Sequence, residues 1–134
     1  MCRVLHKNAA LMKARSIGFS EINASLAARL YTTIKRSRTV ITCFNDTYLN
    51  GTFSKLDHAL TFINTNADGF FKPRLTDKAL EKKSGYQIKI DGQFTDFGWL
   101  SVVKGINGSK PSNIRGERVD LLIYDEAGSW PDLT

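Results

Sequence analysis

The stretch VDLLIYDEA, residues 119 to 127, constrains the fold more than any other part of this chain. It is a buried strand in the making: an apolar run, Leu121 to Tyr124, that delivers two carboxylates, Asp125 and Glu126, at its carboxyl end. RTVITCF, residues 38 to 44, is rich in β-branched and aromatic residues without clean alternation, as expected of a strand covered on both faces by helices. A chain of 134 residues with 42% apolar content can bury one such core and is too short for two comfortable ones.

The remaining segments supply the layers. NAALMKA, 8 to 14, reads as a short buried strand that breaks at the turn RSIG. A helix is expected from Ser20, with Ser20 as N-cap, Glu21 at the positive helix end, and Ile22, Leu26, Leu30 and Ile34 as the apolar face. It should end near Lys35, Arg36 and Arg38, which complement its negative end. A second helix is expected from about Asp46, because Leu49, Phe53, Leu56, Leu60 and Ile63 recur at 4-3-4-3 spacing; Gly51 weakens it by about 1 kcal/mol relative to alanine.

Residues 64 to 78 read as a loop broken by Gly69 and Pro73. YQIKI (86 to 90) and WLSVV (99 to 103) are expected to pair as an antiparallel hairpin across the connection DGQFTDFG. Residues 104 to 117 are a glycine- and serine-rich loop. The order strand, helix, strand, helix, hairpin, strand predicts an α/β domain with a mostly parallel sheet flanked by helices.

Charge and cysteine usage narrow the chemistry. The net charge of +6 is uneven: Arg3, Lys7, Lys13, Arg15, Arg29, Lys35, Arg36 and Arg38 crowd the first part against Glu21, whereas Asp120, Asp125, Glu126 and Asp132 follow the last cation, Arg118. A basic front can meet phosphates and an acidic end can meet a metal. Cys2 and Cys43 are far apart and His6 and His58 are isolated, a pattern that indicates neither a zinc site nor a disulfide framework. No apolar run approaches the about 20 residues that span a bilayer, and residues 1 to 10 lack the apolar core of a secretory signal. A soluble, intracellular protein is expected, with no membrane partner.

The carboxylate-ended strand has the Walker B form. There the first acid organises Mg²⁺ and the second polarises the water that attacks the γ-phosphate of ATP. Ligands of open α/β sheets bind outside the carboxyl ends of the strands, where Asp125 and Glu126 would sit. The matching phosphate cradle is sought in KARSIGFS, 13 to 20. Against G-x-x-x-x-G-K-[ST], Lys13 falls on the first glycine, Gly18 on the second, Phe19 on the lysine and Ser20 on the hydroxyl that touches Mg²⁺. Ala14, Ser16 and Ile17 complete the loop, whose backbone N–H groups can hold phosphate at a helix N-terminus. Lys13 or Arg15 can replace the missing charge. The competing reading is a tight strand–turn–helix corner with Phe19 in the core.

Together these residues resemble a family. KARSIGFSEINASLAARLY and IRGERVDLLIYDEAGSW are similar to the ATPase motor domain of the large terminase subunit of tailed bacteriophages. Lys13, Arg15, Gly18 and Ser20 match its divergent phosphate loop, Arg115 and Gly116 its RG element, and Asp125, Glu126 and Ala127 its Walker B end. Residues 39 to 60 look like its second strand and following helix, so the resemblance runs from about Ala10 to Trp130, with only the two ends specific.

The resemblance implies a P-loop NTPase-like motor that binds ATP and Mg²⁺ and packages double-stranded DNA. It implies a homo-oligomeric ring on a portal, a small terminase subunit as partner, and work in the cytoplasm of an infected bacterial host. Arg15 and Glu126 would be catalytic, Lys13 to Ser20 would hold the nucleotide, and Ser20 with Asp125 would hold the metal. Phe19 departs from the standard loop, and by this resemblance the adenine-contacting segment, the coupling motif and the nuclease domain are expected to be absent from this chain. The chain is therefore expected to be one partial ATPase domain, incomplete at both ends and inclined to self-associate through an open sheet edge. The alternatives are a nucleotide- or DNA-binding remnant without turnover, and another P-loop ATPase such as a helicase-like domain. Phe70, Phe71, Lys72, Arg74 and Lys78 form either a DNA-contacting patch or a surface loop with half-buried rings.

Overall fold

A computed structural model describes residues 18–109 and 118–126. The expected strand 8 to 14, Lys13, Ala14, Arg15, Ser16 and Ile17, the pair Arg115 and Gly116, and Ala127 and Trp130 lie outside the described residues. The described elements are helix α1 (Phe19–Thr33), strand β1 (Arg38–Cys43), helix α2 (Asp46–Asn66), and strands β2 (Arg74–Lys78), β3 (Glu81–Ser84), β4 (Tyr86–Ile90), β5 (Gln93–Phe97), β6 (Val102–Asn107) and β7 (Leu121–Tyr124).

Strand β1 lies inside a five-stranded sheet of order β2-β3-β6-β1-β7. It runs parallel to β6, with Ile41 opposite Gly105, and parallel to β7, with Ile41 opposite Ile123. Strands on both sides pair its backbone, and every residue from Thr39 to Cys43 is buried, although the described helices cover one face of it and not both as expected. Strands β2 and β3 pair antiparallel and join through β3 to β6. The sheet is therefore mixed, where the order of elements predicted a mostly parallel one.

One core cluster holds the layers together. Ala24, Ala27, Ala28 and Tyr31 of α1, Leu49, Phe53, Leu56 and Leu60 of α2, Ile41 and Cys43 of β1, Val103 of β6 and Ile123 of β7 all belong to it. Both helices thus cover the same face of the sheet. Helix α2 follows the 4-3-4-3 spacing and starts where expected, with the Asn45 side chain accepting from the Thr47 N–H at 2.7 Å as N-cap.

Helix α1 departs from its predicted face. Ile22 is 58% exposed and Leu26 39%, while Asn23, Ala24, Ala27, Ala28, Tyr31 and Thr32 are buried. Small residues let the backbones of α1 and α2 approach closely, and that packing outweighs the bulkier i, i+4 stripe. The helix also begins earlier than expected. Gly18, at φ 73°, occupies the N-cap position, and Ser20 lies inside the first turn without capping it. Glycine reaches this left-handed conformation without the steric cost a serine would meet.

The hairpin is also rearranged. Strand β4 pairs with β5 through the two-residue turn Asp91–Gly92, both at positive φ, as a separate two-stranded sheet. Trp99 and Leu100 lie outside the strands, and β6 joins the main sheet. Asp-Gly is the strongest short signal for such a turn, and the alternation in QFTDF completes it. Residues 64 to 78 are not one loop: α2 continues to Asn66 and β2 begins at Arg74. That strand is fastened to α2 by charge, because the buried Lys82 Nζ lies 2.6 Å from Asp77 and 3.1 Å from Asp57, and Arg74 lies 2.8 Å from Asp77.

Candidate functional site

The carboxyl ends of β1, β6 and β7 converge on one edge of the sheet. There β1 runs into the N-terminus of α2, β6 ends at Asn107, and β7 ends at Tyr124, just before Asp125 and Glu126. Helix α1 packs on β1 and closes within a few residues of its start, so its N-terminus, with Gly18, Phe19 and Ser20, points to the same edge. Two positive helix ends therefore face the carboxylate edge.

Asp125 is the centre of this edge. Its backbone N–H donates to the Thr42 carbonyl at 3.0 Å, which continues the β1–β7 ladder by one residue and turns the side chain under α2. The carboxylate is 2% exposed; Oδ2 accepts from Thr52 Oγ1 at 2.7 Å and Oδ1 from the Glu126 N–H at 3.2 Å. Both donors are neutral. Among the described residues no Lys, Arg or His forms an ion pair with it. A buried carboxylate without a countercharge is costly.

Glu126 follows at φ 54°, a left-handed conformation that a non-glycine residue seldom adopts. Such strain is concentrated at functional positions. It also redirects the chain, so that Asp125 is buried while Glu126 is half-exposed at the rim. Cys43 lies on the same face. Burial pushes its thiol up to about 12, and the Asp125 carboxylate adds to the rise. A thiol held protonated in this way is a packing group rather than a nucleophile. The rim is tied by Asn107, whose Nδ2 donates to Asp46 Oδ1 at 2.6 Å and whose Oδ1 accepts from the Ser109 N–H at 2.8 Å.

The structure brings Gly18, Phe19 and Ser20 to the same sheet edge as Asp125 and Glu126, but the hydroxyl bonded to Asp125 is that of Thr52 and not of Ser20. Thr52 was hidden in the sequence because it sits beside Phe53 on the core face of α2, where a threonine reads as ordinary helix filling. Among the described residues there is no group of three or more His, Cys, Asp or Glu side chains placed to hold a metal. A cation at Asp125 would therefore take most of its ligands from water or from a bound anion, as Mg²⁺ does in phosphate sites.

In the middle cluster two of the three cations are engaged, and Lys78 is exposed. Lys72 Nζ lies 4.6 Å from the centre of the Trp99 ring and donates to the Gly69 carbonyl at 3.0 Å, and Arg74 is paired with Asp77. Phe70 and Phe71 remain about half exposed. Among the described residues no helix is long and apolar enough to cross a membrane. Compared with known proteins, the chain matches no family model, no curated protein and no solved structure.

Proposed function

We propose that this chain is the nucleotide-binding part of an ATP-driven DNA-packaging motor of the terminase large-subunit kind. The observation that carries the reading is Asp125: a buried carboxylate with neutral donors only, at the carboxyl edge of the central strands, followed by a left-handed Glu126. Asp125 would anchor Mg²⁺ through water, held in place by Thr52. Glu126, at the rim, would orient the attacking water. The N-terminus of α1, with the loop 13 to 20 ahead of it, would receive the phosphates through backbone N–H groups, and Lys13 or Arg15 would supply the charge that Phe19 cannot. Bound Mg²⁺ would neutralise the phosphate oxygens and draw charge from the γ-phosphate. Double-stranded DNA, a portal, a small subunit and a ring of copies are the partners this reading implies.

Titration of the purified chain with Mg-ATP, beside Asp125→Ala and Arg15→Ala, tests the proposal. Saturable binding that is weakened at least about tenfold, or about 1.4 kcal/mol, by Asp125→Ala is expected. Equal binding in wild type and Asp125→Ala would remove the carboxylate edge from the site.

A second reading, nucleotide binding without turnover, is favoured by Phe19 at the lysine position and by the hydrogen bonds that already occupy both oxygens of Asp125. ATP hydrolysis that disappears in Glu126→Gln would exclude it.

A further inference from the structure

At the opposite end of the sheet, the starts of β1 and β7 frame an open hollow of about 700 Å³ lined by Arg36, Arg38, Arg118, Val119 and Asp120. Parallel pairing brings together two segments some eighty residues apart. The Arg38 N–H donates to Asp120 Oδ2 at 2.8 Å, and the Asp120 N–H donates to the Arg38 carbonyl at 2.8 Å. Among the described residues Asp120 supplies the one carboxylate of this lining, and its Oδ2 accepts from backbone. Arg36 is held at φ 59° while its N–H donates to the Trp99 carbonyl at 3.0 Å. Among the described residues none of the three guanidinium groups has an ion pair, whereas Arg74, Lys82 and Lys83 are each paired with an aspartate.

Three arginines against one carboxylate leave the concavity with an excess of positive charge, and an anion relieves the repulsion among the guanidinium groups. Guanidinium forks match phosphate oxygens two at a time. Among the described residues the lining contains no aromatic ring on which a base could stack, so the hollow suits a phosphate backbone and not unpaired bases. It is separated from Asp125 by the length of β1, about 17 Å at about 3.3 Å per residue, which keeps a bound phosphate chain away from the carboxylate edge.

We propose that the arginine hollow at the amino end of β1 and β7 is a phosphate-binding site that takes the backbone of a nucleic-acid duplex without regard to sequence. The choice of a duplex rests on the motor reading, but the phosphate chemistry does not.

Fluorescence anisotropy of a labelled duplex, measured against salt, tests this with Arg36→Asn, Arg38→Gln and Arg118→Gln, singly and together. Each single substitution should lower the slope of log K against log salt by about 1, and the triple variant by about 3. The single variants carry the test if the triple does not fold, because Arg38 holds Asp120 through its backbone and asparagine tolerates the left-handed conformation at position 36. Replacing all three with lysine should keep the slope, since the charge is kept, while weakening binding. Unchanged duplex affinity and slope in the singles would overturn the proposal. So would saturable binding of inorganic tripolyphosphate that no duplex displaces, which would make the hollow a free-polyphosphate site. Mg-ATP titration of the same variants separates the two proposals. Arginine-dependent duplex binding by a chain that binds no ATP upholds the hollow and sinks the motor, and the reverse pattern does the opposite.

Discussion

Asp77 sits between two cations, and its titration is the clearest pH device among the described residues. The hydrogen bond from Lys82 holds its carboxyl below the usual carboxylate range, burial opposes this, and Arg74 adds to the lowering. A carboxyl depressed in the folded state binds its proton less readily there than in the unfolded chain. It therefore contributes stability above the ordinary aspartate value of about 4 and loses that contribution as pH falls below it. The group is half exposed, so the effect is modest. Asp77→Asn should lower the urea midpoint at pH 7 and leave a smaller difference from wild type at pH 3. A difference of the same size at both pH values would show that shape, and not charge, holds β2 to β3. The same scale explains why Asp125 was legible and Thr52 was not. A carboxylate after an apolar run is conspicuous in one dimension, whereas its hydroxyl partner lies 73 residues away and becomes a partner only when α2 folds back over β7.

Among the elements, β6 depends on a position that no periodicity marks. A methyl group on Gly105 would meet the Phe53 ring at 2.8 Å and the Leu80 side chain at 3.2 and 3.3 Å. Gly105→Ala should cost about 1 to 3 kcal/mol as overpacking, and Phe53→Leu in the same chain should recover part of it. Urea unfolding of the two singles and the double checks this, and strict additivity would remove the clash as the cause. In the sequence, Gly105 belongs to a run that reads as loop, because glycine, asparagine and serine dominate residues 104 to 109. Its strand character comes from pairing with β1, a long-range interaction. Helix α2 was legible from its apolar spacing, and the Asn45 cap that fixes its start is seen in the structure. On α1 the buried face is chosen by how closely two helices can approach, which hydrophobicity alone does not encode.

At the scale of the molecule, stability is distributed unevenly between the main sheet and the β4–β5 hairpin. Strand β1 is bonded on both sides and buried from Thr39 to Cys43, whereas every residue of β4 is exposed and Tyr86, Ile88 and Ile90 are each more than two-fifths exposed. A two-stranded sheet with so little cover is marginal by itself. Hydrogen exchange should find the amides of Val40 to Cys43 among the slowest, opening only with global unfolding, and those of β4 and β5 exchanging through local opening. Equal protection in both would mean that the hairpin shares the core's cooperativity. The molecule also has two chemically distinct ends, arginines where β1 and β7 begin and carboxylates where they finish. The sequence by itself determined the α/β character, the buried strand β1, α2 and, ahead of the carboxylate pair, the strand β7, of which only Ile123 is buried, since each is written in local spacing and residue type. Only the tertiary structure decided the mixed sheet order, the face that α1 buries, the Thr52 bond to Asp125 and the arginine hollow. Each of those depends on contacts between residues distant in the chain, whose free energies arise only after the backbone has closed the loops between them.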